Sequence, residues 1–197
     1  MTRLPAEKRR ELLLDAAAVV FASYGYSGAT TAQLAKAAGV TEPIIYRHFA
    51  SKRDLFIALI QRTGAATIRL WETNLRGATD PADRLTRLLG ANPMVTVRGS
   101  TLYRVVVQAM TEVEDPQIQR ALHEHISQLH TFLRDEVASA QAAGVVSKRF
   151  SPEATAWSLI YLGLGYGVLT AMRAVEDDGS VQDLLGSLML GERYRRG

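Results

Sequence analysis

Apolar residues recur every three or four positions along most of the chain, which is the spacing of one face of an α-helix. The first such segment predicts a helix over residues 7–24 that ends at Gly25. Its apolar face contains Leu13, Ala17, Val20, Phe21 and Tyr24. Further helices are predicted after Thr30 and Thr41, from Ser51 to about Arg76, between the breaks GATDPAD and GANPMVTVRGS, and at about 100–112, 117–143, 153–174 and 180–190. Only MVTVRG suggests a short extended piece, so the pattern predicts an all-α protein.

Residues 31–57, TTAQLAKAAGVTEPIIYRHFASKRDLF, contain unusually dense helix start and stop signals. Thr30 and Gln33 have the spacing of a capping box, and Gly39 follows where a helix should end. Thr41 is placed to cap the next helix, and Pro43 falls in its first turn, where a missing N–H is tolerated. The segment therefore predicts two short helices joined by a tight turn.

Two short helices that cross steeply need small residues at their contact, and Ala35 with Gly39 provides them. This spacing fits a helix-turn-helix unit, in which the second helix enters the DNA major groove, but also an ordinary helical hairpin. The inward positions are Leu34, Val40, Ile45 and Phe49. The positions left outside are Thr41, Glu42, Pro43, Tyr46, Arg47 and His48. Because most of these side chains can bond phosphates or base edges, the outward face favours DNA binding.

The charge distribution also points to the N-terminal third. The formal net charge of +3 lies entirely within residues 1–60, and the remainder of the chain sums to zero. Such asymmetry suggests an anionic partner, although a solvated basic face would look the same. Lys52 opens the helix that Ser51 caps, where backbone N–H groups already favour an anion.

The stretch GYSGATTAQLAKAAGVTEPIIYRHFASKRDLF resembles the DNA-binding domain of the TetR family of bacterial transcriptional regulators. The family's pattern matches at Gly25, Tyr26, Thr30, Thr31, Leu34, Ala35, Ala38, Gly39, Val40, Thr41, Ile45, Tyr46, His48, Phe49, Ser51 and Lys52. Glu42 and Pro43 depart from it, standing where Lys-Gly is frequent, and Ile44 replaces a small polar residue. The DNA-binding residues then expected are Thr30, Thr31, Gln33, Thr41, Glu42, Pro43, Tyr46, Arg47, His48 and Lys52.

The resemblance implies a three-helix DNA-binding domain over residues 1–50 and a larger helical effector-binding and dimerisation domain over residues 51–197. It further implies a homodimer that binds double-stranded DNA in the bacterial cytoplasm, at the nucleoid, and a small, largely apolar effector that releases a repressor from a palindromic operator. The alternatives are a helical protein–protein adaptor and a membrane-surface protein, since a basic N-terminal helix also suits an anionic membrane.

The helix predicted over residues 153–174 is apolar around most of its circumference, so it must be covered on all sides. A membrane span is the alternative, but the stretch stands alone and carries three glycines, which favours a buried helix. With the last helix it is expected to form a four-helix dimer interface, and a monomer core is the competing interpretation. The interface candidates are Trp157, Ile160, Gly163, Leu164, Gly167, Leu184 and Leu188.

Two polar residues, His125 and Glu136, interrupt the apolar stripe of the helix at 117–143. Each needs a partner, which is a neighbouring helix, water or a ligand. The candidate effector-binding residues are Trp71, Tyr103, Gln108 and His125. The His-x-His pair at 123 and 125 does not converge on one helix face, so no metal site is predicted.

Enzymatic chemistry has little support in the sequence. The chain has no cysteine, and it contains neither Gly-x-Ser-x-Gly nor His-Glu-x-x-His. The Gly-x-Gly-x-Gly run at 163–167 follows no strand, so it does not indicate a phosphate loop. No catalytic residue and no cofactor are therefore predicted.

Overall fold

The computed structural model describes residues 5–90, 103, 105–107, 109–110, 114–171 and 180–190. Its helices are α1 (Ala6–Gly28), α2 (Thr31–Ala37), α3 (Glu42–Tyr46), α4 (Lys52–Asn74), α5 (Pro81–Gly90), α6 (Pro116–Ala142), α7 (Pro152–Ala171) and α8 (Ser180–Leu190). The described residues between 103 and 110 are also helical. No strand occurs in these ranges, and the all-α prediction is confirmed. The predicted extended piece MVTVRG and the candidate Gln108 lie outside the described residues.

The first helix runs past its predicted end. Gly25 does adopt a left-handed conformation, with φ of 71°, but helical structure resumes beyond this kink and reaches Gly28. Glycine tolerates this backbone without the clash that a Cβ would cause. Tyr24, predicted on the apolar face, is 57% exposed because it lies beside the kink, so this part of the prediction was wrong.

The described residues fall into two compact units. One comprises Met1–Thr63 with Thr101–His125, and the other comprises Gly64–Ser100 with Ile126–Gly197. Helix α4 is thus divided between the units after Thr63, and α6 after His125. The division of function at residue 50 stays a prediction.

The first unit contains an aromatic cluster that joins α1 to α4. The ring of Phe21 meets that of Phe56 at 4.8 Å in an edge-on arrangement, and Tyr26 lies 4.8 Å from the same Phe56 ring. Such pairs add about 0.5–1.5 kcal/mol each beyond the area they bury. The inward residues predicted for α2 and α3 extend this core, since Leu34, Ile45 and Phe49 are all at most 5% exposed.

In the second unit, α7 is covered on one side only. Leu159 and Ile160 are buried, whereas Tyr161 is 66% and Leu162 is 47% exposed. Within the described ranges, no helix combines the length and apolar character needed to cross a bilayer.

Candidate nucleic-acid interface and effector site

The turn between α2 and α3 is fixed by backbone hydrogen bonds. Gly39 has φ of 65°, and its N–H donates to the carbonyl of Lys36 at 3.2 Å. The N–H of Val40 donates to the carbonyl of Ala35 at 3.0 Å. These two bonds are the pattern of a helix that ends in a left-handed glycine. The turn can therefore hold α3 at one angle to α2.

The predicted capping box at the start of α2 is confirmed. Gln33 donates its backbone N–H to Thr30 Oγ1 at 3.2 Å, and Thr30 donates its own to Gln33 Oε1 at 2.8 Å. At α3, Pro43 lies in the first turn as expected, but the side chain of Thr41 makes no capping hydrogen bond. Thr41 is the N-cap by position only, because its hydroxyl does not turn back to the helix.

Six of the ten predicted DNA-binding residues lie on α3 or within two residues of its ends. The residues Thr41, Glu42, Pro43, Tyr46 and Arg47 are exposed, whereas His48 is half-buried. The hydroxyls of Tyr46 and Thr31 lie 3.3 Å apart, which links this face to the first turn of α2. Polar side chains of α2 and α3 therefore lie next to each other at this point.

Lys52 has a structural partner that the sequence did not reveal. Its ammonium group donates to the backbone carbonyls of Tyr26 and Ala29, both at 2.9 Å, and lies 4.7 Å from the centre of the Tyr26 ring. The ammonium group therefore joins the start of α4 to the end of α1, and the role of Lys52 in DNA binding stays a prediction.

Three ion pairs join the first half of α4 to α1 and to the residue before α6. Arg62 Nη1 lies 2.7 Å from the carboxylate of Asp15 and 3.2 Å from that of Glu11, both on α1. Arg53 Nη1 lies 3.5 Å from Asp115, the residue before α6. Nothing in the local pattern indicates these pairs, since their partners are 47 to 62 residues apart.

The Asp115 carboxylate also caps α6. It accepts hydrogen bonds from the backbone N–H groups of Gln117 at 2.9 Å and Ile118 at 3.2 Å. Burial raises the pKa of Asp115, but the backbone donors of Ile118 and Gln117 together with Arg53 bring that pKa below its ordinary value. Asp115 is therefore ionised at neutral pH and attracts the Arg53 guanidinium.

The effector candidates of the first unit lie together. Tyr103 is 3% and His125 is 2% exposed, with their ring centres 6.0 Å apart. Among the described residues, neither ring nitrogen of His125 has a hydrogen-bond partner. Burial lowers the pKa of His125 from 6.5 to about 4, so the ring is neutral at physiological pH.

The effector candidate of the second unit, Trp71, is fully buried and stacks on Phe132 with ring centres 5.3 Å apart. Its indole N–H has no hydrogen-bond partner within the part of the chain that the structure describes. Phe132 also lines an open groove of about 650 Å³ between α4 and α6. The groove residues are Ala65, Ile68, Arg69, Glu72, Ser127, Gln128, Thr131, Phe132 and Asp135. This groove has the size of a small-molecule site, although most of its residues are exposed.

Glu136, the other polar residue of the α6 stripe, is paired within the protein. Its carboxylate accepts a hydrogen bond from Arg84 Nε at 2.8 Å and a second from Arg84 Nη2. This hydrogen bonding raises the pKa of Arg84. Glu136 is thus a packing residue of the second unit, satisfied by α5.

The interface candidates divide between the surface and the interior. Trp157 (37%), Leu184 (58%) and Leu188 (73%) are exposed, whereas Ile160 and Gly163 are buried within the chain. Leu164 is half-buried, and Gly167 lies within α7. Ile160 and Gly163 therefore pack inside the protomer rather than on its surface. The Trp157 ring stacks between those of His130 and Tyr161, at 4.6 and 5.8 Å.

Comparison with known proteins gives a consistent result. The family model described as "Bacterial regulatory proteins, tetR family" matches residues 13–59. The nucleoid occlusion factor SlmA of Marinobacter nauticus is 31% identical over 148 residues, which cover 75% of this chain and 74% of SlmA. The transcriptional activator FasR of Mycolicibacterium smegmatis is 35% identical over 116 residues, or 59% of this chain. The chain spans about half the length of FasR, with 52% covered.

Solved structures share the fold. The fatty acid degradation regulator FadR of Bacillus halodurans superposes with a TM-score of 0.78 at 20% identity, over 99% of this chain and 100% of FadR. The helix-turn-helix of α2 and α3 coincides with the residues that the family model matches. The chain therefore belongs to the TetR family of bacterial transcriptional regulators, which is not a family of enzymes.

Proposed function

We propose that the chain is a homodimeric repressor that binds a palindromic operator and leaves it when a small, largely apolar effector binds. The observation that carries the proposal is the outer face of α3, which presents hydrogen-bonding side chains on a helix whose inner residue, Ile45, is 1% exposed. Under this proposal the protein acts on the chromosome in the bacterial cytoplasm.

Base readout is assigned to the two residues that flank α3, and phosphate contact to its last residue together with the first turn of α2. Thr41 and Arg47 are exposed and suited to base edges, where a good bidentate contact discriminates by about 1–3 kcal/mol. Tyr46 and Thr31 form a hydroxyl pair suited to phosphate oxygens. Lys52 is assigned an indirect part, since it holds the start of α4 to the end of α1.

Dimerisation is assigned to α7 and α8. Their exposed apolar side chains include Tyr161, Leu184 and Leu188, each more than half exposed in the single chain. Covering such residues is favourable at about 25 cal/mol per Å² of apolar surface. A two-fold dimer would place two recognition helices on two symmetric half-sites, which is why the operator is proposed to be palindromic.

Release is assigned to the first half of α4, which is fixed to α1 by Arg62 and Lys52. Any tilt of this half carries α1, α2 and α3 with it, so an effector that favours a tilted state would draw the recognition helices out of register. Linkage then requires DNA to weaken effector binding by the same factor as the effector weakens DNA binding, typically about 5–150-fold.

Selection from random duplexes followed by footprinting tests the proposal. We expect a protected site with dyad symmetry and an affinity that falls steeply with salt, as phosphate contacts require. Arg47→Ala should relax the sequence preference. Lys36→Ala, at an exposed position of α2, removes the same charge and serves as the control. A footprint without symmetry would refute the dimeric reading. Binding to anionic vesicles but not to DNA would instead support the membrane-surface alternative.

A further inference from the structure

We propose that His125 is the hydrogen-bonding anchor of the effector site, and that the effector carries a neutral hydroxyl or amide head on its apolar body. The inference deepens the proposed function, because it rests on the existence of an effector and names the chemistry that recognises it.

His125 is a buried polar residue of the first unit. The residue lies on α6 with 2% exposure, in the same unit as the buried apolar cluster that contains Val105, Ile118 and Ala121. No hydrogen bond or ion pair within the described ranges reaches either ring nitrogen. A buried polar group without a partner is rare in native proteins, so the two nitrogen atoms need a partner from outside the described residues, which is water or a ligand.

Glu136, on the same helix, differs from His125 in having a hydrogen-bond partner. Both residues interrupt the apolar stripe of α6, but Arg84 satisfies the Glu136 carboxylate with two hydrogen bonds. Among the described residues there is a partner for Glu136 and none for the ring nitrogens of His125. The Tyr103 ring, 6.0 Å from the His125 ring, adds an aromatic wall of the kind that lines small-molecule sites.

The hydrogen-bonding groups of the His125 ring determine which head groups it can bind. Burial lowers the pKa of His125 to about 4, so the imidazole is neutral and offers one N–H donor and one nitrogen acceptor. A hydroxyl or a primary amide can accept from the donor and donate to the acceptor. A quaternary ammonium group can do neither. A carboxylate would have to enter an apolar environment as an unpaired charge, which is strongly unfavourable.

Four probes that carry a ten-carbon chain and differ in their head group test this proposal: 1-decanol, decanamide, decanoate and decyltrimethylammonium. Their affinities are measured by calorimetry on the full-length wild type, on His125→Phe and on His125→Gln, which keeps a donor and an acceptor. His123→Phe, an exposed position on the same helix, is the matched control. Circular dichroism establishes that each variant is folded.

We expect the alcohol and the amide to bind the wild type and the control more tightly than the two charged probes do. His125→Phe should weaken both neutral probes about tenfold, which corresponds to about 1.4 kcal/mol, and leave the charged probes unchanged. His125→Gln should restore most of the affinity. Equal affinities in the wild type and His125→Phe, or no binding of any probe, would overturn the proposal.

Titrating the same probes against the operator complex separates this inference from the proposed function. Probes that depend on His125 but leave DNA affinity unchanged would refute release by an effector while keeping the site. Probes that release DNA equally from the wild type and His125→Phe would keep the proposed function and refute the anchor.

Discussion

Acidification should destabilise the protein through the His125 ring before general acid unfolding begins. The pKa of this residue falls from 6.5 to about 4 on folding because burial disfavours the charged ring. At about 1.4 kcal/mol per pKa unit, this difference amounts to about 3 kcal/mol of unfolding free energy. A typical domain has only about 5–15 kcal/mol in total, so the effect is large enough to measure.

The sign follows from the depressed pKa. Above about pH 6.5 the ring is neutral in both states, so its contribution to stability is fully present. Between about pH 6.5 and 4 the unfolded chain binds a proton that the folded chain does not, and the contribution is progressively lost. Below about pH 4 the loss is complete and no longer changes with pH.

Urea unfolding at intervals from pH 7.5 to 4 provides the assay, with His125→Phe and the control His123→Phe measured beside the wild type. Carboxylate titration is common to all three proteins, so it cancels in the differences. We expect the stability of the wild type relative to His125→Phe to fall by about 3 kcal/mol across this range, and that of the control to follow the wild type. Parallel curves for the wild type and His125→Phe would refute the reasoning, since they would mean that the ring titrates alike in both states.

Three other substitutions test separate parts of the structure. Lys52→Met should cost about 1.5–3 kcal/mol of stability, measured by urea unfolding, because it removes a charged donor from two carbonyls; an unchanged midpoint would contradict the contact. Gly39→Ala should cost about 1 kcal/mol through backbone strain alone, since φ is 65° and a Cβ would meet nothing within 4 Å; a more stable variant in thermal unfolding would count against the left-handed turn. Leu188→Arg, at a side chain that is 73% exposed, should give folded monomers in sedimentation, and a dimer that persists would move the interface elsewhere.

The elements whose signals are local could be predicted from the sequence. The capping box of Thr30 and Gln33 spans four residues. At the end of α2, Gly39 donates to the carbonyl three positions earlier and Val40 to the carbonyl five positions earlier. Ser51 likewise accepts from the backbone of Asp54 at 3.0 Å. Such bonds depend little on the rest of the fold, so residue type and spacing suffice to predict them. Thr41 is the exception: it occupies the N-cap position of α3, but its exposed side chain makes no hydrogen bond to the helix.

The contacts that join distant segments could not be predicted. Lys52 is 23 and 26 residues from its two carbonyl partners, and Glu136 is 52 residues from Arg84. When a helix is apolar around its whole circumference, the spacing of its apolar residues does not show which face is buried. The sequence therefore could not distinguish the buried Ile160 from the exposed Tyr161. The orphaned His125 was identified as a polar residue in an apolar stripe, but its lack of a partner is a property of the packed fold.

The division of labour within α3 has an evolutionary consequence. Of its five residues, Ile45 is buried and Ile44 half-buried, while the remaining three are exposed. Exposed positions away from special features usually change stability by less than about 0.5 kcal/mol when substituted. Mutations at Glu42, or at the exposed flanking residues Thr41 and Arg47 that are assigned to base readout, can therefore accumulate with little effect on folding. A duplicated gene could acquire a new operator through these positions while the scaffold beneath them stayed under unchanged selection.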